Sequence, residues 1–292
     1  MTSIDYAADV AFPNLGISIE HLSSGFEIFG FRIAFYGMII AFGMILGYLM
    51  ATWQAKRTGQ NPEVYLDFAL LAIPLSVIGA RIYYVIFSWD NYKDNLIEIL
   101  NIRNGGLAIY GGVIVAILTA WLFCKYRKIS FGLLADTGCT GLLAGQIIGR
   151  WGNFFNREAF GGYAGDSLFA MQLPWDEAIL HMSSSSIESL KAHVVDNTIL
   201  VHPTFLYESV WNIGVLILIL VYTKHKKFDG ELILLYLAGY GLGRIWIESL
   251  RTDQLLLWKT NIPISMLLSL ILFVGALICI FVKRNCLKTV KE

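Results

Sequence analysis

Long apolar runs separated by short polar stretches dominate the chain, at residues 31–53, 66–87, 107–124, 131–150, 204–223, 231–248 and 263–282. Each is close to the roughly 20 residues an α-helix needs to cross the hydrocarbon core of a bilayer. The pattern predicts an all-α polytopic membrane protein with about seven transmembrane helices. One long interruption, 151–203, contains Gly161, Gly162, Gly165, Pro174 and the run Ser183 to Ser186, a mixture that favours turns. It is expected to form a small external head between helices four and five, although its composition fits a plain connector equally well. The segments are then an external N-terminal piece (1–30), helices one to four (31–150), the head with its loop (151–203), helices five to seven (204–282) and a tail (283–292).

Charge placement orients this array. Lys56 and Arg57, then Lys125, Arg127 and Lys128, then Lys224, Lys226 and Lys227, then Lys283, Arg284, Lys288 and Lys291 all fall on one side. The positive-inside rule makes that side cytoplasmic. The other side receives Asp5, Asp9, Glu20 and Glu27, the loop with Asp90, Asp94 and Glu98 (offset in part by Lys93 and Arg103), the head, and the loop from Asp253 to Ile262. This puts the N-terminus outside and the C-terminus in the cytoplasm. The stretch before the first run has no Lys or Arg up to Gly30, so it lacks the basic start of a cleavable signal peptide, and the first run is expected to be retained.

Composition agrees: 56% of residues are hydrophobic and 15% charged, with a mean hydropathy of +0.61. A formal net charge of zero gives no footing to a nucleic-acid partner, which would call for a basic excess. Cys124, Cys139, Cys279 and Cys286 avoid the outer loops, and the histidines are scattered without an HExxH. Neither a disulfide framework nor a metal site is expected.

Arginines in apolar runs are costly and persist where they line a cavity, pair or act on a ligand. Arg32, Arg81, Arg150 and Arg244 lie in or at the ends of helices one, two, four and six, and the topology sends them all toward the outer face. Terminal arginines can also simply snorkel to headgroups. Arg244 resists that reading because several apolar residues separate it from the nearest polar loop. Its helix carries Tyr240, Arg244, Glu248 and Arg251 at i, i+4, i+8 and i+11, on one face. A self-neutralising ladder could use those residues, but it leaves surplus positive charge that an anion would complete.

Helix four carries Gly138, Gly141, Gly145, Gly149 and Gly152, a smooth stripe suited to close helix packing. Directly after it Arg150, Asn153, Asn156, Arg157 and Glu158 crowd the exit from the membrane, ahead of Gly161. Arginine grips a phosphate bidentately and asparagine can donate to its oxygens, although a capping cluster could draw on the same residue types. Tyr36 in helix one and Tyr110, at the start of helix three before Gly111-Gly112, sit at a depth where interfacial tyrosines are common.

These residues carry a family likeness. Gly149 to Gly161 resembles the GRxGNFxNxExxG signature of the bacterial prolipoprotein diacylglyceryl transferases, and His202-Pro203-Thr204-Phe205-Leu206-Tyr207-Glu208 resembles their HPxxLYE element. Tyr36-Gly37, Gly79-Ala80-Arg81 and the Tyr240 to Arg251 pattern follow suit, in family order over most of the chain. One departure stands out: some members have a histidine where this chain has Tyr110, so that either this tyrosine serves the catalysis by hydrogen bonding there, or the base lies elsewhere, with Glu158, Glu248 or a substrate group as candidates.

The resemblance implies transfer of an sn-1,2-diacylglyceryl group from phosphatidylglycerol to the lipobox cysteine thiol of preprolipoproteins, the first step of bacterial lipoprotein maturation. A thioether forms, glycerol phosphate leaves, and no cofactor is required. It further implies the bacterial cytoplasmic membrane as location, with the site near the outer leaflet. On this reading Arg150 and Arg244 bind the phosphate and stabilise its departure. Asn153, Asn156 and Glu158 position the glycerol headgroup, and Tyr36, Tyr240 and Tyr110 complete polar contacts. Glu248 orients Arg244 or Arg251, while Arg81 and Gly161 complete the substrate-binding set. The rival from the residues alone is an anion transporter or channel, which predicts charges at several depths and repeated halves. The inner half offers only Asp67, Asp136 and Glu231, near helix ends, and no repeat is visible. A retinal-type receptor is weaker still, since 263–282 contains no lysine.

Overall fold

The structure, a computed structural model, describes residues 8–102, 105–257, 260 and 262–289; Asp5, Arg103 and Lys291 of the charge pattern lie outside them. The apolar runs form α1 (Phe35–Arg57), α2 (Glu63–Phe87), α3 (Ile109–Arg127) and α4 (Phe131–Asn156). After the short α5 (Trp175–Ala178) and α6 (Ser184–Leu190) come α7 (Thr204–Tyr222), α8 (Glu231–Leu250) and α9 (Ile264–Thr289). Among the described residues six helices, α1 to α4, α7 and α9, are long and apolar enough to cross a membrane. The seventh expected span is α8, a helix of 20 residues that falls outside that group. Glu231, Arg244 and Glu248 dilute its hydropathy, so its length suits a crossing and its composition does not.

The all-α expectation fails outside the long helices, ahead of α1 and between α4 and α7. β1 (Ala8–Phe12), β2 (Ile17–Leu22), β5 (Met171–Pro174) and β6 (Thr198–Val201) form an antiparallel sheet in the order β2-β1-β5-β6. β3 (Gly25–Ile28) and β4 (Phe31–Ala34) make a hairpin that leads straight into α1. The N-terminal segment is thus no separate appendage, since β1 lies inside the sheet beside β5 of the head. Val10, Phe12, Phe160, Met171, Leu173, Ile199 and Val201 form the head's core, and Phe154 of α4 and Phe205 of α7 join it. That shared core seats the head on the end of the bundle where α4 stops and α7 begins.

Small residues set the helix spacing. A Cβ on Gly47 of α1 would lie 2.7 Å from the carbonyl oxygen of Gly141 in α4, so the two backbones are in direct contact. Higher up, the Tyr36 ring lies against Gly152, where a Cβ would come within 2.8 Å of it. At the far end, buried Asp136 of α4 accepts from the amides of Gly230 and Ile233 at 2.9 Å and from Lys226 Nζ at 3.0 Å. It therefore satisfies donors in the first turn of α8 that the helix itself leaves unpaired. This fixes α8 axially against α4, which decides where Arg244 stands relative to Arg150.

Candidate active site

Three helices bring the central charges together. Arg150 lies near the head end of α4, Glu208 in the first two turns of α7, and Arg244 and Glu248 one turn apart on α8. One Glu208 oxygen is ion-paired with Nε of Arg150 and the other with a terminal nitrogen of Arg244 at 2.5 Å. Arg244 also meets Glu248 at 2.6 Å. Both carboxylates are almost fully buried, at 4% exposure each. Three ion pairs link the two guanidinium groups and the two buried carboxylates in a row, Arg150–Glu208–Arg244–Glu248, in which each charge has an opposite partner. Such pairing is what permits burial, because an isolated ion there costs several kcal/mol. Arg251, just past the end of α8, is paired with Asp253 at 2.6 Å and lies 4.0 Å from Glu248. The surplus positive charge read from α8 alone is therefore absent once Glu208 and Asp253 are counted.

The signature loop forms a second group. Asn153 donates to Glu158 at 2.9 Å and Asn156 to the same oxygen at 3.4 Å. α4 ends here because Arg157 turns left-handed (φ 52°), as does Ala159 (φ 57°). Buried Arg157 faces away from the loop: its guanidinium pairs with Glu177 and donates to the Leu22 carbonyl at 2.8 Å, tying α4 to both segments of the head. Gly161 then slides between His202 and Leu250. A Cβ there would sit 2.8 Å from that of His202 and 3.1 Å from the Leu250 carbonyl, while its own amide donates to the His202 carbonyl at 2.8 Å. Gly161 thus joins the ends of α7 and α8 by close approach. Burial lowers the pKa of the adjacent His202, whose Nδ1 lies 3.1 Å from the Tyr207 hydroxyl. Asn153, Glu158 and Arg251 share a cavity of about 520 Å³ with His181, Ser183 and Gln254.

The remaining expected residues divide. Tyr36 packs on Gly152 within electrostatic reach of Glu158 and Arg150. Tyr240 stacks on Tyr236, one and two turns below Arg244, with ring centroids 5.8 Å apart. Arg81 is 7% exposed, and its guanidinium donates to the carbonyls of Glu98, Ile99, Asn101, Gly105 and Gly106 at 2.6–3.1 Å. It holds the α2–α3 loop and has no donor left over. Tyr110 is 46% exposed at the start of α3, and its side chain has no hydrogen bond, ion pair or ring contact among the described residues. α3 packs chiefly on α2, away from the α4–α7–α8 network.

Sequence reasoning gave no role to Glu208, although it quoted the residue in a motif. The available signal was a carboxylate four residues into an apolar run. It likewise passed over Asn212 and Gln146, one helical turn below Glu208 and Arg150. Asn212 is 2% exposed, and among the described residues neither its Nδ2 nor Oε1 of Gln146 has a partner, while Gln146 Nε2 donates to the Tyr236 hydroxyl at 2.8 Å. Among the described residues no group of three or more His, Cys, Asp or Glu side chains is arranged to hold a metal ion.

Comparison with known proteins carries this geometry further. The family model for prolipoprotein diacylglyceryl transferase matches residues 24–282. A phosphatidylglycerol-prolipoprotein diacylglyceryl transferase of Clostridioides difficile (strain 630) is 42% identical over 253 residues, 87% of this chain and 92% of that protein. The enzyme of the same name from Finegoldia magna is 40% identical over 266 residues, 90% of this chain and 97% of the relative. One from Bacillus mycoides (strain KBAB4) is 41% identical over 255 residues, 87% and 89% of the two chains. The matched region runs from β3 to the last turns of α9 and contains the entire charge network, and the chain belongs to the prolipoprotein diacylglyceryl transferase family.

Proposed function

We propose that the Arg150–Glu208–Arg244–Glu248 network is where this transferase moves the diacylglyceryl group of phosphatidylglycerol onto the cysteine thiol of a prolipoprotein. The observation that carries the proposal is the convergence of two arginines from α4 and α8 within a buried network, next to the signature cavity. Membership of the family makes the chain a diacylglyceryl transferase with phosphatidylglycerol and prolipoprotein as substrates. The lipobox cysteine is the acceptor in this account.

The reaction displaces a phosphate ester oxygen from an alkyl carbon by sulfur. The thiol gives up its proton to a base (Glu158, Glu248 or an oxygen of the departing phosphate), the sulfur electron pair forms the new C–S bond, and the C–O pair leaves with glycerol phosphate. Charge therefore grows on the departing phosphate oxygen. Arginines already in place at low dielectric stabilise that charge without reorganising solvent. Arg150 engages Glu208 through Nε, which leaves its terminal nitrogens for a phosphate. Asn153, Asn156, Glu158 and Arg251 line or border the cavity and suit a glycerol headgroup. Tyr36 and Tyr240 close the site from α1 and α8. Gly161 acts through packing rather than contact with lipid, Arg81 as an anchor for its loop, and Tyr110 outside the chemistry.

The site belongs to the outer leaflet of the bacterial cytoplasmic membrane, with the head outside and α8 crossing as a seventh span. The inner-side basic clusters support this orientation. α8 tolerates its charges because α4, α7 and α9 surround it and the charges pair with one another. Purified chain incubated with phosphatidylglycerol and a lipobox peptide tests the activity directly. A peptide heavier by one diacylglyceryl group, with an equal amount of glycerol phosphate, is expected. Absence of product together with anion uptake by reconstituted liposomes would favour a transporter instead.

A further inference from the structure

The central network is already neutral, so a lipid phosphate arriving at Arg150 and Arg244 finds their charge claimed. Glu208 is the residue that claims it from both: its two oxygens bridge the arginines, whereas Glu248, at the end of the row, meets only Arg244 of the two. A phosphate taken up on the remaining nitrogens of the arginines therefore competes with Glu208 for the same two positive charges. One turn further along the same face of α7, Asn212 holds a buried amide donor with no partner among the described residues. A buried donor left unpaired is costly, and a carboxylate is its strongest available acceptor.

We propose that Glu208 is a displaceable counter-ion. In the empty site it bridges Arg150 and Arg244. When phosphate binds, the carboxylate yields the arginines and accepts from Asn212 Nδ2. After transfer, the free glycerol phosphate carries more negative charge than the lipid diester and would be held hard by two buried arginines. Return of Glu208 to the arginines expels it. The residue thus sets the balance between lipid capture and product release, acting on the chemistry through the arginines rather than on the reacting atoms.

This inference rests on the proposed phosphate site, and inhibition by glycerol phosphate separates the two. The full-length chain is assayed in detergent with phosphatidylglycerol and a lipobox peptide, with added glycerol phosphate as probe. Glu208→Gln keeps the shape and removes the competing charge. It is expected to bind the probe about tenfold more tightly, to lower KM for phosphatidylglycerol, and to lower kcat because release slows. Asn212→Leu, of similar volume, removes the resting place for the displaced carboxylate and is expected to shift KM the opposite way, upward, with the product bound more weakly. A residue that merely held helices together would not move the two variants in opposite directions. Wild-type inhibition by glycerol phosphate with equal or weaker inhibition of Glu208→Gln overturns the counter-ion role. Turnover in the wild type without any inhibition by the probe overturns the phosphate site itself. If Glu208→Gln does not accumulate as folded protein, an unchanged or lowered KM in Asn212→Leu is sufficient to reject the proposal.

Discussion

Arg81 donates to five backbone carbonyls of one loop, whereas Arg150 meets a carboxylate through a single nitrogen. A guanidinium saturated by carbonyls has nothing left for a ligand, and one that uses part of its fork does. That contrast separates a structural arginine from a working one better than depth in the helix can. Tyr110 illustrates the same logic with a hydroxyl: with no described partner and nearly half its surface exposed, it has nothing to activate it or aim it. Tyr110→Phe is therefore expected to keep turnover within about twofold of wild type, as exposed substitutions usually do. Initial rates with phosphatidylglycerol and lipobox peptide measure this, and a loss of several tenfold would return the hydroxyl to the mechanism. Arg150, Arg244 and Glu248 were visible as chemistry in the sequence because charges stand out in apolar runs. Glu208 carried the same signal, but its role depends on two arginines from other helices, and such pairing exists only in the folded chain.

At the scale of elements, the long helices were legible because length and hydropathy are enough to specify them. The strands were not, since segments of four to six residues show too few alternations, and β1 finds its neighbour β5 about 160 residues away in the chain. The α4–α8 register also escaped the sequence. It is held by Asp136, which ties the start of α8 to α4 through two amides and Lys226. Asp136→Ala leaves those amides buried without a partner and is expected to destabilise the protein by about 2–4 kcal/mol. Thermal unfolding in detergent checks the loss; an unchanged melting temperature would mean that Asp136 does not hold α8 in place.

At the scale of the whole molecule, the bundle supplies an apolar setting and the head supplies a polar one, and the candidate site lies where they meet. The shared core of Phe154, Phe160 and Phe205 with the sheet makes that junction rigid. Arg157 reinforces it by joining the end of α4 to Glu177 and Leu22. The sequence revealed the site as a collection of outer-end residues from several helices. It did not reveal that the N-terminal segment helps build the head, nor that the arginines come already neutralised. The central claim is that Arg150 and Arg244 together receive the lipid phosphate. Turnover of Arg150→Ala and Arg244→Ala, measured as glycerol phosphate released per folded molecule, tests it most directly. A fall of about a hundredfold or more in each variant, with folding retained, is expected for loss of preorganised charge at a leaving group. Release at the wild-type rate from either variant would contradict the account.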